Sequence, residues 1–231
     1  MAEKNIKERC FSRMPINYSE LFEIILLTFK VSGTALTFSV VLGGLLGFFV
    51  ALKNFSGKKV LVALINTGMG LPPVVVGLFV LLFLWRGGPL GFLEFIYTPI
   101  AMVIAQIILA TPIIAGLTMA TIQQIPQKMI WQAKALGARG FTLIWLLMKE
   151  ARLSLLAAVM AGFGGIISEV GAVMMVGGNI KGQTRVMTTA IVLEAQRGEL
   201  NLAIALGLVL LVLSFSVNLG LTLIQQKVKK T

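Results

Sequence analysis

The 231-residue sequence contains no histidine and a single cysteine, Cys10. One cysteine cannot form a disulfide within the chain, and it cannot supply a cysteine cluster for a metal. The chain also lacks a phosphate-binding loop of the Gly-x-x-x-x-Gly-Lys-Ser/Thr type and any serine–histidine or paired-acid arrangement for hydrolysis. The sequence therefore predicts no catalytic residue, no metal site and no bound cofactor, and the chain is not expected to hydrolyse ATP itself.

Charged residues are also scarce, at 13% of the chain, whereas 57% of the residues are hydrophobic. A water-soluble domain of this size cannot hide so much apolar surface in one core, so the composition predicts a membrane protein. The net charge of +11 would suggest nucleic acid in a soluble protein. Here the basic residues lie mostly between apolar runs, which is typical of a topology signal. We therefore expect a lipid bilayer, and no nucleic acid, as partner.

Long apolar stretches define the expected architecture, because a membrane-spanning helix needs about 20 mostly apolar residues. The sequence predicts an all-α membrane protein with about five transmembrane helices. The transmembrane domain would cover residues 19–226, between an N-terminal tail of residues 1–18 and a C-terminal tail of residues 227–231. The predicted spans are residues 19–52, 60–85, 97–122, 152–177 and 200–224, and the longest connection is the loop 123–150. Gly43 and Gly47 in the first span form a GxxxG pattern, which favours close helix packing.

The distribution of lysine and arginine predicts the orientation, since cytoplasmic loops near spans retain these residues. The segments 53–59, 123–152 and 227–230 carry many basic residues and one acid, Glu150. The other connections hold basic and acidic residues in nearly equal number. We therefore expect the N-terminus outside the cell, and the C-terminus and the loop 123–150 in the cytoplasm.

The loop 123–150 has the pattern of two short helices. Pro126 suits a first helical position, and Gly137 is placed to end the helix in a left-handed turn. One apolar face would be formed by Met129, Ile130, Ala133 and Leu136. A second helix would begin near Arg139. The first helix would lie on the lipid surface or fit a groove on a cytoplasmic protein, and its pattern alone leaves both open.

Prolines are expected to interrupt two of the spans. Pro72 and Pro73 remove two adjacent N–H donors from an apolar stretch, which predicts a broken helix. Broken helices in transporters often line the pathway, although a kink absorbed by packing is the alternative. Thr111-Pro112 predicts a second break, in the third span, where Gln106 supplies a polar position.

Glu169 is the only acid well inside a predicted span, about 24 Å along the helix from Leu153. An acid in lipid is costly and is by default functional or paired. Its negative charge does not suit contact with an anion. We expect a structural or gating role, through hydrogen bonds from backbone N–H groups at the Pro72-Pro73 break or an ion pair with Arg185.

The segment Gln132-Ala133-Lys134-Ala135-Leu136-Gly137-Ala138 resembles the coupling-loop signature of bacterial ABC importer permeases. The resemblance implies that the ATPase-coupling residues are Gln132, Ala133, Leu136, Gly137 and Ala138, with Gly137 at the turn between two coupling helices. The sequence departs from the family pattern at Trp131, where the family usually has glutamate, and at Gln132, which takes the place of the first alanine. It departs again at Lys149-Glu150, where the family has Leu-Pro.

Two further segments narrow the resemblance to permeases for molybdate and tungstate. The sequence NTGMGLPPVVVG at residues 66–77 is similar to the second span of those permeases, and ISEVGAVMMVGGNI at residues 167–180, with Thr184-Arg185-Val186 and TTAI at 188–191, resembles the tungstate branch. The implied pathway or gate residues are Asn66, Thr67, Met69, Pro72, Pro73, Gln106, Glu169 and Met174. Where the fourth span ends, backbone amides with Asn179, Lys181 and Arg185 would form an electropositive outer mouth, and a plain outer turn is the alternative.

This resemblance implies a permease subunit with a type I ABC importer fold that imports a tetrahedral oxyanion, above all tungstate, by ATP-driven alternating access. The implied partners are a second copy of the chain, two cytoplasmic ABC ATPase subunits that carry ATP and Mg, and an extracytoplasmic oxyanion-binding protein. The implied location is a bacterial or archaeal cytoplasmic (inner) membrane. The alternatives are a permease for molybdate or another anion, and an ion-coupled secondary transporter, which would need more intramembrane acids or histidines and an even number of spans.

Overall fold

A computed structural model of the protein describes the backbone of residues 18–230 and the side chains of residues 19–226. Cys10 and nearly all of the predicted N-terminal tail, residues 1–18, lie outside the described residues. The helices are α1 (Tyr18–Leu52), α2 (Lys58–Met69), α3 (Pro73–Leu84), α4 (Pro99–Gln123), α5 (Gln127–Ala135), α6 (Gly140–Glu150), α7 (Arg152–Ile167), α8 (Gly171–Gly177), α9 (Met187–Gln196) and α10 (Leu200–Lys230), with a 3-10 turn at Gly91–Leu93. The all-α expectation therefore holds over the described part of the chain.

Helices α1, α4 and α10 are each long and apolar enough to cross a membrane. The pair α2–α3 is bent by 106° at its break, and the pair α7–α8 is bent by 54°. If each bent pair counts as one span, the described residues contain up to five, which matches the five apolar stretches of the sequence.

Helices α1 and α4 form the most closely packed pair. A Cβ atom at Gly47 would lie 2.6 Å from the carbonyl oxygen of Ala115, and one at Gly43 would lie 2.8 Å from that of Thr111. Only glycine permits so close an approach of two backbones, so the GxxxG pattern has its expected effect. The contacts advance along both helices in the same direction, so α1 and α4 run parallel. The bent pair α2–α3, which connects them in the sequence, therefore returns the chain across the molecule.

The remaining long helices run in defined directions around this pair. The Gln106 side chain of α4 donates from Nε2 to the carbonyl of Ile166 near the end of α7, at 3.4 Å, so α7 is antiparallel to α4. Gln225 near the end of α10 donates to the carbonyl of Leu153 at the beginning of α7, at 3.1 Å. We call the end of the molecule that holds residues 127–150 the α5–α6 end, and the opposite end, which holds residues 178–196, the α9 end.

The structure corrects the prediction of a break at Thr111-Pro112. Helix α4 continues through Pro112 without interruption. The proline ring packs on α2, since a Cβ atom at Gly68 would lie 2.7 Å from Pro112 Cβ and Cγ. A single proline removes one N–H donor, and the packing of α1, α2 and α7 against α4 holds the helix in one piece.

Helix α9 is absent from the sequence prediction. It packs on the first turns of α1 and α10 through a buried cluster of Ile24, Met187, Ala190 and Leu206. Its sequence, MTTAIVLEAQ, is short and rich in β-branched residues, which have low helix propensity. Tertiary packing stabilises such a helix, so its local sequence pattern does not predict it.

Candidate functional site

The break between α2 and α3 follows directly from the two prolines. Residues three and four positions after Met69 are Pro72 and Pro73, and neither has an N–H to donate to the Met69 carbonyl. Pro72 is extended, with φ −62° and ψ 121°, and α3 begins at Pro73. The Pro72 carbonyl then accepts from the N–H groups of Val75 and Val76, at 3.0 and 3.2 Å. The same prolines therefore end one helix and begin the next.

The second break lies between α7 and α8, and it corrects the expectation for Glu169. This residue is not inside a continuous helix, because α7 ends at Ile167 and α8 begins at Gly171. Its Oε1 atom accepts from the N–H of Ala172, at 2.8 Å. Arg185, the predicted ion-pair partner, lies instead 3.6 Å from Glu20. Glu169 therefore satisfies a backbone donor at the start of its own α8, and not one at the Pro72-Pro73 break.

Helices α3 and α8 bring the two breaks together. A Cβ atom at Gly77 of α3 would lie 2.7 Å from the Cα atom of Ala172, so the two helices touch at backbone distance. Between the breaks lies a cavity of about 230 Å³, which we call the break cavity. It is lined by Gly68, Met69, Leu71, Pro73, Gln106, Leu109, Ala110, Ile113, Gly165, Ile166, Ser168 and Glu169.

The break cavity unites four of the eight residues predicted for the pathway: Met69, Pro73, Gln106 and Glu169. The other four do not line it. Asn66 and Thr67 are exposed on α2, Pro72 is exposed in the break, and Met174 is partly buried in α8. The sequence thus identified residues at both breaks, whereas it missed lining residues such as Leu109 and Ser168, whose types give no signal.

The polar groups of the break cavity are mainly acceptors. The Gln106 side chain is 3% exposed, and its Oε1 atom has no hydrogen-bond partner among the described residues. Glu169 contributes a carboxylate, and no lysine or arginine is among the lining residues. A dianion requires donors or cations to be held tightly, so the lining of this cavity in one copy does not form a tight anion-binding site.

The three residues predicted for an outer mouth lie together at the α9 end, away from the break cavity. Lys181 Nζ lies 2.6 Å from Glu20 Oε2, and Arg185 also faces that carboxylate. Asn179 donates from Nδ2 to the carbonyl of Thr189, at 3.2 Å. Glu20 therefore offsets part of the positive charge of the predicted outer mouth.

The α5–α6 end holds the predicted helical loop. Helix α5 packs on the bundle through Ile130 and Ala133, which are buried. It ends in a left-handed turn at Gly137, with φ +88°. Ala138 N–H bonds the Ala133 carbonyl at 2.9 Å, and Gly137 N–H bonds that of Lys134 at 3.0 Å. This is the Schellman pattern, in which glycine is strongly favoured.

The structure corrects one member of the predicted apolar face of α5. Leu136 follows the last helical residue and is 89% exposed. Trp131 is 67% exposed and Phe141, in the first turn of α6, is 80% exposed. These three large apolar side chains are all exposed at the α5–α6 end, and we call them the apolar prongs. Large exposed apolar side chains of this kind mark a contact with another protein or with the membrane.

Comparison with known proteins gives a consistent result. Residues 43–230 match the family of binding-protein-dependent transport system inner membrane components. A probable anion ABC transporter permease of Haloferax volcanii is 41% identical over 213 residues, covering 90% of this chain and 92% of the relative. A tungstate uptake system permease of Peptoclostridium acidaminophilum is 41% identical over 208 residues, covering 90% and 91%. An inward-facing methionine ABC transporter shares the fold, with a TM-score of 0.74 at 18% identity, covering 94% of this chain and 99% of that one.

Proposed function

Because the chain belongs to the family of binding-protein-dependent transport system inner membrane components, we propose that it is the membrane-spanning permease subunit of an ABC transporter that imports tungstate. The relative from Peptoclostridium acidaminophilum is named for tungstate uptake, and the one from Haloferax volcanii for anions. Each spans nearly the whole length of this chain at 41% identity. Tungstate is a tetrahedral dianion, and molybdate is the anion that competes most closely for the same role.

The geometry of the α5–α6 end is the observation that carries the ATP-driven part of the proposal. The apolar prongs face outward, while Ile130 and Ala133 anchor the opposite side of α5 to the bundle. A helix fixed in this way transmits a push on its outer face to the helices behind it. We assign the outer face to a groove on a cytoplasmic ABC ATPase subunit, which binds ATP and Mg. Of the proposed coupling residues, Gln132, Leu136, Gly137 and Ala138 are exposed or partly exposed, whereas Ala133 is buried and anchors the helix to the bundle.

The pathway in this proposal lies between two copies of the chain. Five spans seldom enclose a pathway alone, and a two-fold axis would bring the break cavities of both copies to one passage. Each copy then binds one ATPase subunit. An extracytoplasmic binding protein delivers the oxyanion at the α9 end, and ATP binding and hydrolysis switch the pair between inward-open and outward-open states.

The charges support one orientation in a cytoplasmic membrane. Among residues 19–226, whose side chains the structure describes, the α5–α6 end and the adjoining turns hold eight of the 13 lysines and arginines: Lys53, Lys58, Lys59, Lys128, Lys134, Arg139, Lys149 and Arg152. At the α9 end, acids such as Glu20 and Glu194 pair with the basic residues. By the positive-inside rule the α5–α6 end is cytoplasmic and the α9 end is outside, which puts the N-terminus outside and the C-terminus inside.

Reconstitution tests the transport reaction and its substrate. The chain, the ATPase subunit and the binding protein are assembled in proteoliposomes, and trapped tungsten is measured by mass spectrometry with molybdate or sulfate as competitor. We expect uptake that requires ATP and the binding protein. Uptake driven by an ion gradient without ATP would instead identify a secondary transporter, and preferential uptake of molybdate would reassign the substrate.

Charge substitution in the apolar prongs tests the ATPase contact. Leu136→Asp together with Phe141→Asp places two charges where an apolar groove would have to receive them, so copurification of the ATPase subunit should fall at least about tenfold. The control is Phe92→Asp. Phe92 is similarly exposed, at 77%, and lies in the 3-10 turn before α4 begins, away from the α5–α6 end. If the parent chain, the double variant and Phe92→Asp all copurified the ATPase subunit equally, the assignment would be contradicted.

A further inference from the structure

A hydrogen bond connects the break in the α7–α8 span to helix α9. Thr188 Oγ1 donates to the carbonyl oxygen of Glu169, at 2.9 Å. The side chain of the same glutamate accepts from Ala172 N–H, at 2.8 Å. Glu169 lines the break cavity, and Thr188 is 7% exposed. The backbone of the break is therefore tied to α9 on one side and to the start of α8 on the other.

The first turn of α9 is itself fastened to its surroundings by polar contacts. Met187 N–H donates to Thr28 Oγ1 of α1, at 3.0 Å, and Val186 N–H donates to Thr189 Oγ1, at 3.1 Å. The Asn179 side chain reaches the carbonyl of Thr189 from the segment that precedes α9. A displacement of that segment, residues 178–186, is thereby passed to the turn that carries Thr188.

The segment 178–186 is also accessible at the α9 end. Lys181, Gly182 and Gln183 are exposed, whereas Thr184 is fully buried and its hydroxyl donates to the Gly177 carbonyl at the end of α8. Exposed residues joined to a buried anchor can receive a contact from outside and move the elements behind them. Here those elements are α8, α9 and, through Thr188, the lining of the break cavity.

We propose that Thr188 is a positioning residue that couples the segment 178–186 to the break cavity, so that docking of a protein on the α9 end changes the position of Glu169. The inference rests on the proposed function, because it identifies the docked protein with the extracytoplasmic binding protein. Thr188 does not touch the substrate. Its hydroxyl holds the Glu169 carbonyl, and a buried hydrogen bond of this kind biases a two-state equilibrium about two- to tenfold.

Stimulation of ATP hydrolysis by the binding protein tests this coupling in the reconstituted complex. Thr188→Val keeps the shape of the side chain and removes the donor, so the ratio of stimulated to basal ATPase activity should fall about two- to tenfold with basal activity unchanged. Thr188→Ser retains the hydroxyl and should restore the ratio. The matched control is Thr111→Val, since the Thr111 hydroxyl is buried and has no hydrogen-bond partner among the described residues.

A labelling measurement on the permease alone separates a failure of this inference from a failure of the proposed function. Ser168→Cys places a thiol in the lining of the break cavity, in a chain whose Cys10 is replaced by serine. With the tie removed by Thr188→Val, a water-soluble thiol reagent should label position 168 about two- to tenfold faster, whereas Thr188→Ser and Thr111→Val should match the parent chain. Equal labelling rates and an equal ATPase ratio for Thr188→Val and Thr111→Val would overturn the inference. A complex with no ATPase or binding-protein partner would overturn the proposed function and leave the labelling result to stand.

Discussion

The α1–α4 pair consists of two unbroken helices, whereas the spans α2–α3 and α7–α8 are each interrupted. In the pair, Gly43 and Gly47 bring two unbroken helices into backbone contact, and the interior proline of α4 is absorbed. In the broken spans, Pro72-Pro73 ends one helix and begins another, and residues 168–170 interrupt α7–α8. Close helix packing and the break cavity therefore lie side by side in one bundle.

The contrast between the prolines shows what is needed to break a span. At Met69 the donors three and four positions ahead are both missing, so no local helical geometry satisfies its carbonyl. At Pro112 only one donor is missing, and close neighbours hold α4 on several sides. Two adjacent prolines thus specify a break that local chemistry alone enforces, whereas one proline leaves the outcome to packing.

The strongest test of the rigid pair is Gly47→Val. Its Cβ atom would meet the Ala115 carbonyl oxygen at 2.6 Å, and backbone cannot move aside as a flexible side chain does. Overpacking of this kind costs about 1–3 kcal/mol or more. We expect loss of the monodisperse peak in size-exclusion chromatography of the detergent-solubilised protein. Gly44→Val is the control, because a Cβ atom there meets nothing within 4 Å; equal loss in both variants would show that the contact is not the cause.

The next test converts a broken span into a continuous one. Replacing Pro72 and Pro73 with alanine returns two N–H donors to the α2–α3 junction, so the 106° bend should decrease while the folded yield is kept. Tungstate uptake should fall at least about tenfold, because the break cavity loses one wall. Pro112→Ala serves as control, with uptake expected within about twofold of the parent chain. A double variant that transports normally would separate the break from transport.

A smaller effect is expected for Glu169→Gln. The amide oxygen can still accept from Ala172 N–H, but a hydrogen bond to a neutral acceptor is roughly half as strong as one to a carboxylate. We predict a fall in uptake of about two- to tenfold with an unchanged ratio of tungstate to molybdate transport. A changed ratio would show that this carboxylate contacts the substrate, which its charge argues against.

The smallest effect is expected for Glu20→Gln, which removes the ion pairs between α1 and the segment that follows the broken α7–α8 span. Lys181 is 65% exposed at the side chain, and exposed pairs contribute about 0–1 kcal/mol. The thermal unfolding midpoint should fall by less than about 4 °C, and the difference should shrink in high salt. A larger fall would assign the stability to Arg185, whose side chain is only 11% exposed.

Several features of the site could be predicted because they depend on neighbours in the chain. The break at Pro72-Pro73 follows from the two missing N–H donors. The turn at Gly137 could be expected because glycine readily adopts the left-handed φ that the turn has. Others could not. The hydrogen-bond partner of Glu169 depends on where α7 ends. Leu136 is exposed and not buried, because α5 ends at Ala135, one residue before it. Helix α9 depends on contacts with α1 and α10, which are distant in sequence.

The apolar spans, the double-proline break, the glycine contact of α1 and the helix–turn–helix loop could all be predicted from the amino-acid order, because each depends on the composition or spacing of residues close together in the chain. The fold was needed to show that Pro112 does not interrupt α4, that Glu20 pairs with the cations predicted for the mouth, and that both breaks line one cavity. These outcomes arise from contacts between residues far apart in sequence, where burial and competing partners set the free energy.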